Sequence, residues 1–308
     1  MIRPLLLRSS LLALVLAVTV TALIAQALPS VAVGRIERIA AMASTHVDPR
    51  HVDVWLPPQY DGRTPLPVLY MHDGQMLFDS TVTWNRQSWN VASTVARLIG
   101  EGRIPPTIVV GIHNGGPRRH SEYYPTGFLP HLPPEARRTL LERSLDGRSR
   151  ADAYLRFLVE ELKPTIDARY ATRRDAAHTM IAGSSMGGLI SLYAISEYPA
   201  VFGGAAALST HWPGWGADNA TGPIAAFTYL RDRLPDPASH RVWMDHGTTE
   251  LDALYVIHQP IVDRIARDRG YDDRSLRSVV FPGTGHNERA WAARLEQPLV
   301  FLLSPRPR

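Results

Sequence analysis

The stretch HTMIAGSSMGGLISLY, residues 178–193, decides the fold. It opens with a short apolar run, His178 to Ala182, and closes with a helix-like segment, Leu189 to Tyr193. Between them stands G-x-S-x-G, with Ser185 at its centre. A serine on a tight strand-to-helix turn is pushed out of the sheet with its Oγ exposed, the geometry of a nucleophile elbow. Gly183 and Gly187 are expected to flank Ser185 because side chains there would meet neighbouring backbone in so sharp a turn. The turn also aims the first helical N–H groups, with their positive partial charge, at the reaction centre. Ser184 reads as the last residue of the strand. This pattern implies attack by Ser185 on a carbonyl carbon, the chemistry of an acyl-transferring hydrolase.

Outward from this turn, short apolar runs recur at Val52–Leu56, Pro67–Met71, Thr107–Ile112, Gly204–Leu208, Val242–Asp245 and Leu276–Phe281. Continuous runs of this kind suit strands buried on both faces of a parallel sheet. Helical stretches separate them. Tyr154, Leu158, Leu162 and Ile166 recur every four residues, which gives one apolar face to a helix over about 150–169. Ser88–Leu98, Pro223–Leu234 and Gln259–Arg269 are further helices, and Glu288–Leu303 reads as a helix broken or bent at Pro298. Strand and helix alternate throughout, so the expected fold is a doubly wound α/β sheet, mostly parallel, with helices on both faces. Residues 113–148, rich in proline and glycine at their start, read as a substrate-facing excursion or partial lid.

The first 27 of the 308 residues stand apart from this pattern. Arg3 and Arg8 precede the apolar run Leu11–Ala25, and Ala25-Gln26-Ala27 supplies a small-x-small cleavage site. The expectation is a cleaved signal peptide over 1–27 and one α/β domain over 28–308, with export to the periplasm or beyond. The apolar run is short of the roughly 20 residues a spanning helix needs, so no stable membrane insertion is expected after cleavage. The chain has no cysteine, which excludes thiol catalysis, disulfides and cysteine-based zinc sites. A net charge of +4, with basic residues scattered, does not point to nucleic acid.

A serine nucleophile needs a base, an orienting acid and an oxyanion hole. On an α/β-hydrolase sheet the chain order is serine, acid, histidine. His286 follows the late run Leu276–Phe281, sits on the loop Pro282-Gly283-Thr284-Gly285 and precedes a helix, which makes it the expected base. His258, His211 and His246 are weaker candidates. The acid should follow the run ending at Asp245: Glu250 is the first choice and Asp252 the second, while Asp245 itself reads as strand. The oxyanion donors are expected to be the backbone N–H groups of Met186 and of Gln75, in the loop His72-Asp73-Gly74-Gln75-Met76, with Gly74 letting backbone approach the substrate. Asp73 is expected to brace its own loop. Arg118 and Arg119 are either anion-binding or structural, and Trp212 and Trp215 either line an aromatic pocket or pack in the core.

The segments LYMHDGQMLFD (69–79), GIHN (111–114) with Arg118-Arg119 and EYYP (122–125), IAGSSMGGL (181–189), Tyr198-Pro199 with Phe202-Gly203, and GHNE (285–288) with Trp291 together resemble the putative esterase family of α/β hydrolases. That family includes trilactone esterases of the enterochelin type, feruloyl and acetyl esterases, formylglutathione hydrolases and mycolyl transferases. The resemblance implies the α/β-hydrolase fold over roughly residues 35–303. It implies Ser185 and His286 as nucleophile and base, Glu250 at the usual acid position, a small-molecule ester as substrate, and no cofactor or metal. Its "HDGQ…LFD" segment is most similar to the bacterial branch that holds siderophore trilactone esterases, so the expected substrate is a siderophore-like lactone or another polar or aromatic ester. An acyltransferase with the same triad and an inactive binding protein on the same fold are the alternatives.

Overall fold

The computed structural model describes residues 27–216 and 219–305. The expected leader lies outside the described residues, apart from Ala27. A single eight-stranded sheet runs in the order β1-β2-β4-β3-β5-β6-β7-β8. Its strands are β1 (Arg35–Met42), β2 (Arg50–Leu56), β3 (Val68–Met71), β4 (Ile108–Ile112), β5 (Thr179–Ser184), β6 (Gly204–Leu208), β7 (Arg241–Gly247) and β8 (Leu276–Phe281). β1 and β2, and β2 and β4, pair antiparallel. From β4 through β3 to β8 every pairing is parallel. The α/β-hydrolase expectation, a mostly parallel sheet under helices, is thus what the chain builds. β1 is the element the apolar runs missed. It is an edge strand whose residues are mostly exposed or half-buried, so it needs no apolar run.

Alternate residues along each strand feed opposite faces. Val68, Tyr70, Val110, Ile181, Ala205 and Met244 join one apolar cluster. Their neighbours Leu69, Met71, Val109, Ala182, Ala206 and Trp243 join the other. The first face is covered by α3, α4 (Met186–Glu197), α5 (Thr221–Arg233) and α6 (Gln259–Asp268). Here α3 is the run Ala151–Arg156, Phe157–Leu162 and Lys163–Arg169, whose middle turn is π-helical. The second face is covered by α1 (Val91–Gly100), α7 (Glu288–Arg294) and α8 (Glu296–Leu303). Each large apolar side chain removed from water contributes roughly 1.5–3 kcal/mol. α4 is buried on every side from Met186 to Ser196, so it has no polar face to show.

The C-terminal helix is broken as expected, but at Leu295 and not at Pro298. A proline ring clashes with the carbonyl four residues earlier, here Arg294, so the break falls upstream and Pro298 sits in the first turn of α8. Among the described residues no helix is long and apolar enough to cross a membrane.

The excursion after β4 is ordered by short helical turns at Gly116–Arg118, Arg119–Tyr123 and Thr126–His131 and by the helix α2 (Pro134–Ser144). It is anchored by charge. Glu122 accepts two bonds from the Arg50 guanidinium, at 2.7 and 2.8 Å, and neither side chain is more than 2% exposed. Arg50 also lies against the rings of Tyr154 and Phe157, 5.5 and 5.4 Å from their centroids. Breaking a buried pair from one side leaves an uncompensated charge. Glu122→Gln is therefore expected to destabilise the fold by about 3–5 kcal/mol in chemical denaturation. A loss below 1 kcal/mol would show that the pair does not anchor the excursion.

Candidate active site

Every parallel strand from β4 to β8 delivers a polar side chain to the same carboxyl edge, where doubly wound sheets bind ligands. β5 ends at Ser184, and Ser185 follows with φ 59° and ψ −123°. A non-glycine residue there is strained by about 1–3 kcal/mol and persists only where its surroundings enforce it. They do: the Ser185 N–H donates to Leu208 O at 2.9 Å, and its carbonyl accepts from His211 N at 3.2 Å. A Cβ on Gly183 would lie 2.9 Å from Gly187 backbone, so Gly183 is required by the turn. Gly187 is different from expectation, since a Cβ there would meet nothing closer than 3.5 Å. The second tight position is Gly188, packed on Thr210.

His286 lies on the loop between β8 and α7, and its Nδ1 is 2.6 Å from Asp252 Oδ1. Asp252 has no exposed surface. Its other oxygen accepts from Ser209 Oγ and from the Gly247 N–H, each at 2.6 Å. Burial alone would raise the pKa of Asp252, but the bonds from His286, Ser209 and Gly247 outweigh it and hold the carboxyl below its usual range. An ionised carboxylate only accepts, so Nδ1 must carry the proton and Nε2 is left as the basic nitrogen. The imidazole is fixed further by edge-on rings, Trp291 at 5.1 Å and Tyr255 at 5.9 Å.

The carboxylate expected at this position was Glu250, and the structure corrects that. Glu250 opens the 3-10 turn Glu250–Val256, and its Oε2 accepts from the backbone N–H of His286 at 2.9 Å, not from the ring. Two residues on, the shorter Asp252 side chain faces inward beneath the imidazole. The turn's winding decides which of the two carboxylates is buried. Both residues therefore touch His286, one at its main chain and one at its ring.

Behind Asp252 lies a network that the sequence did not disclose. Ser209 Oγ accepts from Trp291 Nε1 at 2.9 Å and from Arg294 Nη2 at 2.7 Å. Arg294 also pairs with Asp245 at 2.8 Å, and Trp243 Nε1 donates to Asp245 at 2.7 Å. Asp245 is strand, as expected, and fully buried.

Across the cleft, Asp73 follows β3 in a left-handed conformation, φ 55°. It accepts from Arg119 Nε and Nη2 at 2.6 and 2.8 Å and from Asn114 Nδ2 at 2.6 Å. Burial pushes the Asp73 pKa up, but Arg119 and Asn114 bring it below the ordinary value. Asp73 thus braces its loop, and Arg119 is engaged with it. Arg118 pairs with Asp48 on the surface. Gln75 lies in the 3-10 turn Gly74–Met76 and Met186 is the first residue of α4, so both N–H groups belong to first turns, which have no intrahelical acceptor. Gly74 is sterically required: a Cβ there would strike Gly111 of β4 at 2.5 Å.

Ser185, His286, Gln75, Asp73, Arg119 and Trp291 line one cleft of about 510 Å3, together with Trp84, Asn85 and Glu288. Trp212 and Trp215 are not among its lining residues. Trp212 is buried and donates to Gln259 at 3.2 Å, and Trp215 packs on Tyr124. His246 is buried against its own strand end, and His258 stacks near Phe227. His211 bonds Tyr255 OH at 2.9 Å, and burial together with the nearby His286 holds its pKa down at about 4.

Comparison with known proteins agrees with this architecture. The family described as Putative esterase matches residues 44–302. YbbA of Bacillus subtilis (strain 168), an uncharacterized protein, is 22% identical over 266 residues, 82% of this chain and 92% of that protein. An endo-1,4-beta-xylanase/feruloyl esterase of Xylanibacter ruminicola is 24% identical over 75% of this chain but only 25% of its own length. Among solved structures, a ferulic acid esterase superposes with TM-score 0.63 at 20% identity, over 88% of this chain and 98% of its own. The enterobactin esterase FES of Shigella flexneri gives TM-score 0.63 at 20% identity, over 89% of this chain and 60% of its own. An IroE-like serine hydrolase of Shewanella oneidensis gives 0.62 at 19%, over 87% and 79%.

Two outcomes are expected from this geometry. Asp252→Asn should lower kcat on a short p-nitrophenyl ester by about 100- to 10,000-fold, because an amide no longer enforces the Nδ1–H tautomer. Glu250→Gln should cost less than about tenfold, since an amide oxygen still accepts the main-chain N–H. The reverse ranking would return the orienting role to Glu250. The second outcome concerns pH. His72, buried with Nδ1 2.8 Å from Tyr154 OH, has its pKa driven down to about 3 by burial. In the unfolded chain an imidazole binds its proton near 6.5. Between these values the unfolded state holds more protons, so stability falls as pH falls. From pH 6.5 to 4 the loss from this group approaches about 3 kcal/mol. The decline of Tm over that range should be shallower in His72→Gln, and an identical slope would show that His72 is not the source.

Proposed function

The chain belongs to the Putative esterase family, and from that premise we propose that it is a serine carboxylic-ester hydrolase with Ser185 as nucleophile, His286 as base and Asp252 as orienting acid. One observation carries this reading: the 2.6 Å bond from His286 Nδ1 to the fully buried Asp252, with His286 lining the same cleft as the strained Ser185. His286 Nε2 takes the Ser185 Oγ proton as the oxygen attacks the ester carbonyl carbon. The carbonyl becomes an oxyanion, met by the N–H groups of Met186 and Gln75, each worth about 3 kcal/mol to the transition state. Collapse breaks the carbon–oxygen bond to the alcohol, which leaves with the proton held by His286. Water then attacks the acyl-enzyme by the same route and frees the acid. Asp252 stabilises the imidazolium formed in each step, and the residues named need no cofactor or metal.

The substrate in this reading is a siderophore-like lactone or another polar or aromatic ester. The cleft supports it with its mixture of tryptophans, amides and one arginine. The names of the similar proteins, ferulic acid esterase and enterobactin esterase, point the same way. The basic, apolar and small-x-small order of residues 3–27 supports export of the mature enzyme.

Ser185→Ala tests the mechanism. Turnover of short p-nitrophenyl esters is expected to fall by about three orders of magnitude or more, with loss of labelling by a fluorophosphonate probe. Unchanged turnover would sink the mechanism.

A further inference from the structure

Trp84 is 84% exposed. Of the other tryptophans, Trp55, Trp89, Trp212, Trp243 and Trp291 are buried and Trp215 is half-buried. Trp84 is also part of the wall of the cleft that holds Ser185 and His286. A single exposed apolar side chain is ordinary on a protein surface, so it is the place of this one, in the wall of the cleft beside Ser185 and His286, that singles it out. Its turn is not loose. Below it, buried Thr83 bonds Ser80 O at 3.0 Å, and Arg86, at φ 56°, bonds Thr81 O. Beyond it, Asn85 Nδ2 donates to Glu288 Oε2 at 2.8 Å, and Gln87 Oε1 accepts from Arg289 N at 3.3 Å. Glu288 and Arg289 open the helix that follows His286. The turn that carries Trp84 is therefore tied to the start of the helix that follows His286.

Resting on the serine-esterase reading, we infer that Trp84 is a stacking platform for a ring on the substrate, a ring with a flat apolar face and a hydroxylated edge. The indole takes the face. The side-chain amide of Gln87 and the carboxylate of Glu288, which line the same cleft, suit the hydroxyls. A hydroxylated aromatic acid and a sugar share this chemistry, one on the acyl side of the ester and the other on the alcohol side. A stacking contact remote from the reacting bond is made equally in the ground and transition states, so its contribution appears in KM.

The test compares kcat/KM for methyl acetate, methyl 4-hydroxycinnamate and an O-acetylated methyl xyloside, followed by proton release. Trp84→Ala is expected to lower the ratio of a ring-bearing ester to methyl acetate about three- to tenfold, through KM, and Trp84→Phe to restore it. The ester whose ratio falls identifies which side of the bond carries the ring. Ratios unchanged for both ring-bearing esters would overturn the inference, as would a wild-type enzyme active on methyl acetate alone. Ser185→Ala, measured beside these, separates the two failures: full activity there removes the esterase mechanism, whereas loss there with unchanged Trp84→Ala ratios removes only the platform.

Discussion

A carboxylate with no exposed surface must have its charge met by donors, and the cleft side of this protein is arranged around one such group. Asp252 receives a bond from a side chain after β6, a backbone N–H at the end of β7 and the imidazole after β8. Three strand ends are thereby tied to one side chain, and His286 acquires a single tautomer and orientation. The cost of burying the charge is large, so the donors must themselves be held. Trp291 and Arg294, on α7, hold Ser209. The helix that follows the histidine thus supports the acid beneath it.

The opposite wall obeys the same constraint with other partners. Asp73 is neutralised by Arg119 and Asn114, and Glu122 by Arg50. Arg119 and Glu122 both come from the excursion after β4, so this long insertion is fastened by ion pairs at two points. Arg119 is engaged by Asp73 and still lines the cleft. Between the two walls stands the elbow, whose backbone is held in a costly conformation by bonds to the ends of β6 and the loop beyond it. Neither wall nor elbow is independent of the sheet, because each depends on where the parallel strands stop.

Much of this was legible in the chain. The apolar runs gave the strands from β2 to β8 because a strand buried on both faces must be apolar throughout. The edge strand β1 escaped because half of it faces water and needs no such run. Ser185 was legible because the turn demands glycine at Gly183, and His286 because a glycine-rich loop before a helix is a distinct pattern. The choice between Glu250 and Asp252 was not legible. They stand two residues apart in one polar segment, and either could reach the ring. Arg294, Ser209 and Asp245 gave no signal, since an arginine in a helix and a serine after a strand are ordinary in any sequence. Trp84 is set apart from the other tryptophans only by its exposure and its place in the cleft wall.

Local pattern therefore determined the strands from β2 to β8, their order and the tight turn at Ser185, because strand burial, helical period and turn sterics act between near neighbours in the chain. The tertiary structure alone decided which carboxylate meets His286, which arginines are engaged, which glycine is sterically required and which tryptophan faces water. Those outcomes depend on burial and on hydrogen-bond partners brought from strands tens of residues apart. No short-range rule carries that information, because desolvation and charge pairing are properties of the assembled site.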